Sequence, residues 1–108
     1  MRPAARQDQA PLGLNVRDLD AATVRRLGIA DTVAGVLIVD VDPAGPARLV
    51  RLHAGQVLLE INRHRVTSVA EYRAVVSALR PGAMVALFVY DQFSDQRSIY
   101  AIVLDPPS

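Results

Sequence analysis

The chain has 108 residues, no cysteine and a formal net charge of +1 at pH 7. This length allows a single domain with one modest core, and the lack of cysteine excludes disulfides and thiolate chemistry. All twelve basic residues are arginine and are scattered along the chain, which argues against nucleic acid as a partner. No apolar run approaches the roughly 18 to 20 residues of a membrane-spanning helix, so we expect no direct membrane insertion.

Short apolar runs rich in β-branched residues predict the strands of the fold. In chain order they are Leu14–Val16, within the apolar run 12–16, and then Gly35–Val41, Gln56–Ile61, Arg65–Val66, Ala83–Tyr90 and Ser98–Leu104. The last two are expected to form a hairpin around a polar loop, 91–97. Asn62 begins a predicted turn of three residues between Gln56–Ile61 and the short strand that follows it.

Three helices are predicted between the strands. They are Ala21–Leu27, a short helix from Pro46 to about Val50, and Val69–Leu79. Asp20 is a suitable N-cap for the first helix, and Gly28 is placed to end it. The third helix is the best marked, because Ser68 and Glu71 have the spacing of a capping box at its start.

Strands outnumber helices, so the sequence predicts an α+β fold that is mainly β. We expect a compact, mostly antiparallel β-sheet domain capped by two to three helices. The folded domain is predicted to cover residues 11–105. A linker or disordered stretch, 1–10, precedes it and a short tail, 106–108, follows it.

A family resemblance rests on three segments. Pro43–Asn62 reads PAGPARLVRLHAGQVLLEIN, which is similar to the PDZ-domain pattern PxSPAxxAGLxxGDxIxxVN. Leu12–Leu19 resembles the start of the second PDZ domain of bacterial HtrA/Deg (protease Do-like) serine proteases, and Val66–Tyr72 resembles their groove helix. The resemblance covers Pro11 to about Leu104. It implies a PDZ-like, partly open antiparallel β-barrel or sandwich with the circularly permuted bacterial strand order, in which the peptide-receiving strand comes first.

Two positions depart from the family pattern. Arg51 stands where the family usually has glycine, at a position that often takes a positive φ, so we expect either a strain of about 1 kcal/mol there or a different turn. Gln56 replaces the usual aspartate, which keeps the hydrogen-bonding capacity and removes a charge.

The resemblance implies a site for the C-terminus of another protein, which would add as a strand to the sheet. Amides of Leu12, Gly13 and Leu14 would bind the terminal carboxylate. On the predicted helix, spacings of i, i+4 and i+7 place three residues on one stripe that we assign to the groove, with Tyr72, Val75 and Leu79 facing the core. The predicted peptide-binding residues are Leu12, Gly13, Leu14, Asn15, Val16, Val69, Arg73 and Val76.

Within this site, Leu14, Val16 and Val76 are predicted to line an aliphatic pocket. Arg73 is predicted to favour an acidic residue upstream of the ligand's C-terminus. Simpler interpretations stay open, because a glycine between two leucines also fits a plain turn and an aliphatic helical stripe also fits a core.

We expect neither a metal nor a cofactor. His53 and His64 fall in predicted loops without a partner at metal-ligand spacing, and Ser68 is better explained as a helix cap than as a nucleophile. No G-x-S-x-G motif occurs in the chain. We therefore expect no catalysis by this chain, although the resemblance implies that its parent protein is a serine endopeptidase.

Two functions follow from the resemblance. The first is a regulatory PDZ domain of an HtrA-like protease in the periplasm or cell envelope. It would bind hydrophobic C-termini or unfolded segments of other proteins and contact its own protease domain and neighbouring subunits. The alternative is an assembly adaptor of a bacterial envelope complex, such as a secretion apparatus or membrane protease, without a C-terminal peptide ligand. A third hypothesis, a small stand-alone enzyme, would require turnover by this chain alone.

Overall fold

A computed structural model of the protein describes residues 12–30 and 32–104. In chain order these contain β1 (Leu14–Asp18), α1 (Ala21–Leu27), β2 (Val36–Val41), a 3-10 helix (Pro46–Leu49), β3 (Val57–Ile61), β4 (His64–Arg65), α2 (Val69–Ser77), β5 (Met84–Asp91) and β6 (Gln96–Val103). The predicted N-terminal linker and C-terminal tail lie outside the described residues.

All six strands belong to one antiparallel sheet. Its order is β1-β2-β3-β5-β6, with β4 paired to β3. The sheet does not close on itself, so within the described part of the chain β1 pairs only with β2 and β6 only with β5. Each of these strands therefore has one open edge, where backbone N–H and C=O groups can pair with another chain. The predicted mainly β, antiparallel and partly open architecture is confirmed.

The sheet carries an apolar layer on each face, because successive side chains of a strand point to opposite sides. Along β2, Val36 and Ile38 join Tyr72 and Val76 of α2 in what we call the first core. Leu37 points the other way, into what we call the second core. The second core consists of Ile29, Val33, Leu37, Val57, Leu59 and Tyr90, with Val24 and Leu27 of α1 packed against it.

Both α-helices begin at the predicted caps. The Asp20 carboxylate accepts a hydrogen bond from the Thr23 amide at 2.8 Å, and Gly28 ends α1 with a left-handed φ of 69°. At α2, the Ser68 hydroxyl oxygen accepts from the Glu71 amide at 3.1 Å. The Glu71 carboxylate accepts from the Thr67 amide at 2.8 Å and from the Thr67 hydroxyl, one residue further back than a simple capping box requires.

Several boundaries differ from the predictions. β1 begins at Leu14 as predicted but ends two residues later, at Asp18, and α2 ends at Ser77 rather than Leu79. β5 and β6 pair as far as Asp91 and Gln96, so the predicted loop 91–97 shrinks to a four-residue turn. Asn62 and Arg63, with φ of 51° and 68°, form a two-residue turn in place of the predicted three-residue one.

The two family departures have structural outcomes. Arg51 is absent from the positive-φ residues of the described chain, so the expected strain is wrong. The helix before it is a short 3-10 helix that already ends at Leu49, and the left-handed conformation falls at Gly55, with φ of 99°. Gln56 is 1% exposed, and its side-chain oxygen accepts a hydrogen bond from the His53 amide at 2.8 Å.

Candidate functional site

The open edge of β1 lies beside helix α2. At the end of the strand, the Asp18 carboxylate accepts a hydrogen bond from the Val69 amide at 2.8 Å. Val69 is the first residue of α2, so its N–H has no partner within the helix and gains one from β1. This contact joins the end of β1 to the start of α2. We call the strand, the helix and the residues Leu12 and Gly13 the β1–α2 site.

The loop before β1 is held by its carbonyl groups. The Leu12 carbonyl accepts from the Ala47 amide at 3.1 Å, and the Gly13 carbonyl accepts from the Asp42 amide at 2.8 Å. The C=O and N–H of a trans peptide point in opposite directions. The amides of Gly13 and Leu14 therefore point away from the segment 42–47, and two neighbouring amides on one side of a loop are suited to binding an anion.

Gly13 is required by the backbone at this point. Its φ is 80°, and a Cβ placed on it would lie 2.9 Å from the Cα of Gly45. A side chain at Gly13 would thus meet both a left-handed conformation and a backbone collision. The loop geometry depends on glycine at both positions, since a Cβ on Gly45 would lie 2.8 Å from the Cα of Gly13.

The predicted apolar residues of the site meet in the first core. Leu12 and Leu14 are fully buried and Val76 is 6% exposed, while Val16 and Val69 are partly buried and pack against the same cluster. Leu14 and Val76 therefore form the floor of the site. Val16 and Val69 keep exposed apolar surface, one on the strand and one on the helix.

The three residues of the predicted helix stripe differ in their exposure to solvent. Val69 is half-buried, Arg73 is exposed and Val76 is buried. Among the residues predicted to face the core, Tyr72 is 1% exposed, whereas Val75 and Leu79 are half-buried. Val76 consequently belongs to the same buried layer as Tyr72, and of the three stripe residues only Val69 and Arg73 present much surface. Asn15 on β1 is half-buried.

Sequence reasoning missed the residues that hold the site together. Asp18 was part of a segment quoted for the resemblance, but its contact with Val69 spans 51 positions and leaves no local signal. Asp42, Gly45 and Ala47 fix the loop through backbone contacts. The signal that could have located these three residues is the glycine and prolines of the segment that resembles the family pattern.

Two carboxylates near the helix starts have lowered pKa values because they accept hydrogen bonds. Hydrogen bonds from the side chain and the amide of Thr67 hold the pKa of Glu71 below its ordinary value. Hydrogen bonds from Thr23 lower the pKa of Asp20 in the same way. Among the described residues, no group of three or more His, Asp or Glu is arranged to hold a metal ion. His53 and His64 are both exposed.

Comparisons with known proteins agree with this architecture. The PDZ domain family model matches residues 10–96. A probable periplasmic serine endoprotease of the DegP-like type from Chlamydia muridarum is 33% identical over 78 residues, which cover 72% of this chain and 16% of that protein. The chain thus spans a small part of this relative.

Solved structures show the same fold. A structure of the HtrA-type protease AlgW with a decapeptide has a TM-score of 0.76 and 26% identity, covering 90% of this chain and 30% of that one. The HtrA3 PDZ domain bound to a phage-derived ligand has a TM-score of 0.71 at 16% identity, covering 87% of this chain and 83% of that one.

The fold is that of a small β domain with a helix beside an open strand edge, and the chain belongs to the PDZ domain family. Its similarity to proteases of the HtrA type confirms the resemblance drawn from its sequence. No helix in residues 12–30 or 32–104 is long and apolar enough to span a bilayer.

Proposed function

We propose that the chain is a peptide-binding regulatory PDZ domain of an HtrA-like serine protease and that it recognises hydrophobic C-termini by strand addition. One observation carries this proposal: the open edge of β1 follows directly on a loop whose amides at Gly13 and Leu14 point away from the scaffold. The peptide-bound HtrA-type structures with the same fold support it.

In the proposed complex, the ligand's last residues pair with the backbone of β1 and its carboxylate accepts from the loop amides. The terminal side chain packs over Leu14 and Val76, between Val16 and Val69. Burying one aliphatic side chain contributes roughly 1.5 to 3 kcal/mol, and each hydrogen bond about 1 kcal/mol net. Such a complex has an affinity nearer micromolar than nanomolar, which suits transient control of substrate delivery.

Arg73 provides a charge-based preference in this proposal. Arg73 is exposed in the middle of α2, four residues after Val69. An acidic side chain upstream of the ligand's C-terminus can therefore reach it. In a peptide array, Arg73→Glu should reverse the preference for acidic residues at that ligand position. Arg26→Glu, which makes the same charge change on α1, is the matched control. An Arg73→Glu domain with the original preference would remove Arg73 from the proposal.

The parent protein in this proposal is a periplasmic or cell-envelope serine endopeptidase. The relative from Chlamydia muridarum is named as a periplasmic serine endoprotease, and this chain corresponds to 16% of its length. The remaining length would hold the catalytic domain. Partners of the domain would then be C-terminal or unfolded segments of other proteins, the parent's protease domain and neighbouring subunits.

An NMR titration tests the proposal. Isotope-labelled protein is titrated with peptides that end in aliphatic or aromatic residues, each prepared with a free and with an amidated C-terminus. We expect amide shifts in residues 12–16 and an affinity loss of about tenfold or more on amidation, because the charge-assisted hydrogen bonds are lost. Equal binding of both forms would contradict carboxylate recognition. No binding of either form would favour the assembly adaptor instead.

A further inference from the structure

One face of the sheet is covered over only part of its length. On the side of the second core, α1 packs against β2, β3 and the Tyr90 end of β5. This helix has seven residues and is about 10 Å long. β5 has eight residues and extends over about 27 Å. Among the described residues, a helix of this length does not reach the Met84 end of the β5–β6 ribbon, where Met84 and Val103 are exposed.

The uncovered part of this face is apolar. Cross-strand pairs lie side by side on one face of a sheet, and here the consecutive pairs are Met84 with Val103, Ala86 with Ala101, and Phe88 with Ile99. Met84, Ile99 and Val103 are 69%, 71% and 56% exposed, and they are three of the five large hydrophobic side chains most exposed in the described chain. We call these six residues the ribbon patch. Phe88 packs against the second core, so the patch continues an apolar layer that α1 covers elsewhere.

Arginines border the ribbon patch. A recess of about 470 Å³ is lined by Phe88, Ala86 and Ile99 together with Glu60 and Arg63. An adjoining recess of about 360 Å³ shares Phe88 and Glu60 and adds Arg65 and Arg97. The border therefore has three arginines and one glutamate. Arg97 is held in place on this side, with its guanidinium carbon 5.3 Å from the centre of the Tyr90 ring.

We propose that the ribbon patch is a second protein-docking surface, separate from the β1–α2 site, and that its partner is a protein segment with aliphatic or aromatic residues flanked by carboxylates. The apolar rows bury the hydrophobic side chains of the segment, and Arg63, Arg65 and Arg97 pair with its acidic residues. Pairing of this kind combines apolar burial with charge selection, because the arginines repel a basic segment.

The charge of the border decides against a second copy of this chain. Two copies packed face to face through their ribbon patches would bring their arginine borders together, and like charges at an interface oppose association. A border with a net positive charge, three arginines against one glutamate, instead fits an acidic partner. The patch also lies on the face of the sheet opposite the first core, to which the β1–α2 site belongs, so the two sites can be occupied independently.

The test uses two acetylated and amidated peptides. In one, Leu and Phe alternate with Asp and Glu; in the other, Lys replaces each acidic residue. The blocked C-terminus keeps both peptides from presenting a carboxylate to the β1–α2 site. In NMR titrations of the folded chain, we expect the acidic peptide to shift amides of β5 and β6 at Ala86, Phe88, Ile99 and Ala101. The basic peptide should bind at least about tenfold more weakly.

Two variants sharpen the result. Ile99→Ser removes an exposed side chain and should weaken the acidic peptide by about tenfold or more, since one buried aliphatic contact is lost. The double variant Arg63→Glu, Arg97→Glu makes the border net negative, so it should weaken the acidic peptide at least as much and reverse the salt dependence of binding. Arg80→Glu makes one such charge change after α2 and is the control. Circular dichroism with unchanged melting temperature shows that each variant is folded.

Three outcomes would overturn the proposal. Equal binding of the acidic and basic peptides would show that the arginine border selects nothing. Shifts confined to residues 12–18 would place the peptide at the β1–α2 site. Sedimentation showing a dimer that Ile99→Ser dissociates would assign the ribbon patch to a second copy of the chain.

Discussion

The two open edges of the sheet differ in what surrounds them. β1 has five residues, α2 lies beside it, and its Leu14 side chain is fully buried. β6 has eight residues, and its Ile99 and Val103 are mostly exposed. Within the described residues, β1 also begins directly after a loop with outward amides, whereas β6 begins after the tight turn that closes a hairpin.

In the proposed complex, an open edge alone is not sufficient for peptide recognition. Any edge strand offers backbone hydrogen bonds, but a ligand also needs a side wall for its side chains and donors for its carboxylate. β1 has both, in α2 and in the loop at Gly13. β6 instead lies near the short 3-10 helix, and its Ile99 and Val103 side chains lie on the exposed apolar face of the β5–β6 ribbon.

The largest expected effect concerns aliphatic side chains on the two edge strands. Leu14→Ala should lower the free energy of unfolding by about 2 to 5 kcal/mol, because it opens a cavity in the first core. Ile99→Ala, on β6, should change the free energy by no more than about 0.5 kcal/mol, since the side chain is 71% exposed. Urea unfolding followed by circular dichroism measures both. Similar losses for the two variants would remove the distinction between the edges.

Gly13 should show the next largest effect. Gly13→Ala combines a left-handed φ with a Cβ placed 2.9 Å from backbone, and should cost about 2 to 3 kcal/mol of unfolding free energy. Gly82→Ala is the matched control, because Gly82 has the same φ of 80° and no atom within 4 Å of the added Cβ. It should cost only about 1 kcal/mol. Equal melting temperatures for the two variants would show that the approach to Gly45 imposes no constraint.

Asp18 tests the connection between β1 and α2. Asp18→Ala should destabilise the domain by about 1 kcal/mol, as the loss of a helix-capping acceptor does. Asp18→Asn retains a side-chain oxygen and should recover most of that loss. Hydrogen exchange at the Val69 amide reports the contact directly and should accelerate in the alanine variant alone. An unchanged exchange rate there would show that the hydrogen bond does not hold the start of α2.

The smallest effect is expected at acid pH. Glu71 and Asp20 have pKa values below their ordinary values, so each stabilises the fold above its unfolded pKa, and that contribution is lost as pH falls through its folded pKa. Glu71→Gln should therefore make the loss of stability below about pH 4.5 shallower. Melting temperatures measured between neutral and acid pH check this. Adding Asp20→Asn should flatten the curve further, because the two carboxylates cap different helices.

Local signals in the sequence predicted the elements well, and their ends less well. The caps at Asp20 and Ser68 were correct, because capping depends on side chains within three residues of the helix start. The turn after β5 was too long in the prediction, since Gln96 and Arg97 look polar in sequence. They pair with Asp91 and Tyr90 in the structure, and that pairing depends on the partner strand rather than on propensity.

Only part of the site was predicted, again because local sequence signals do not determine contacts between distant elements. Resemblance to the PDZ pattern located the loop, the first strand and the long helix, but helical spacing could not separate the groove face from the core face. Val76 shows this, since it was assigned to the groove and is 6% exposed in the first core. The full set of peptide-binding residues stays a prediction that the titration addresses.

By itself, the sequence determined the chain's family, its run of strands and helices, and the need for glycine at position 13. Those properties depend on residues that are close together in the chain, because helix caps, turns and the alternation of apolar and polar residues involve only a few neighbouring positions. Tertiary structure alone decided which strand edges stay open, that Asp18 bonds to the start of α2, and that α1 covers only part of one sheet face among the described residues. Each of these depends on contacts between residues far apart in the chain, and such contacts form only when the whole sheet packs.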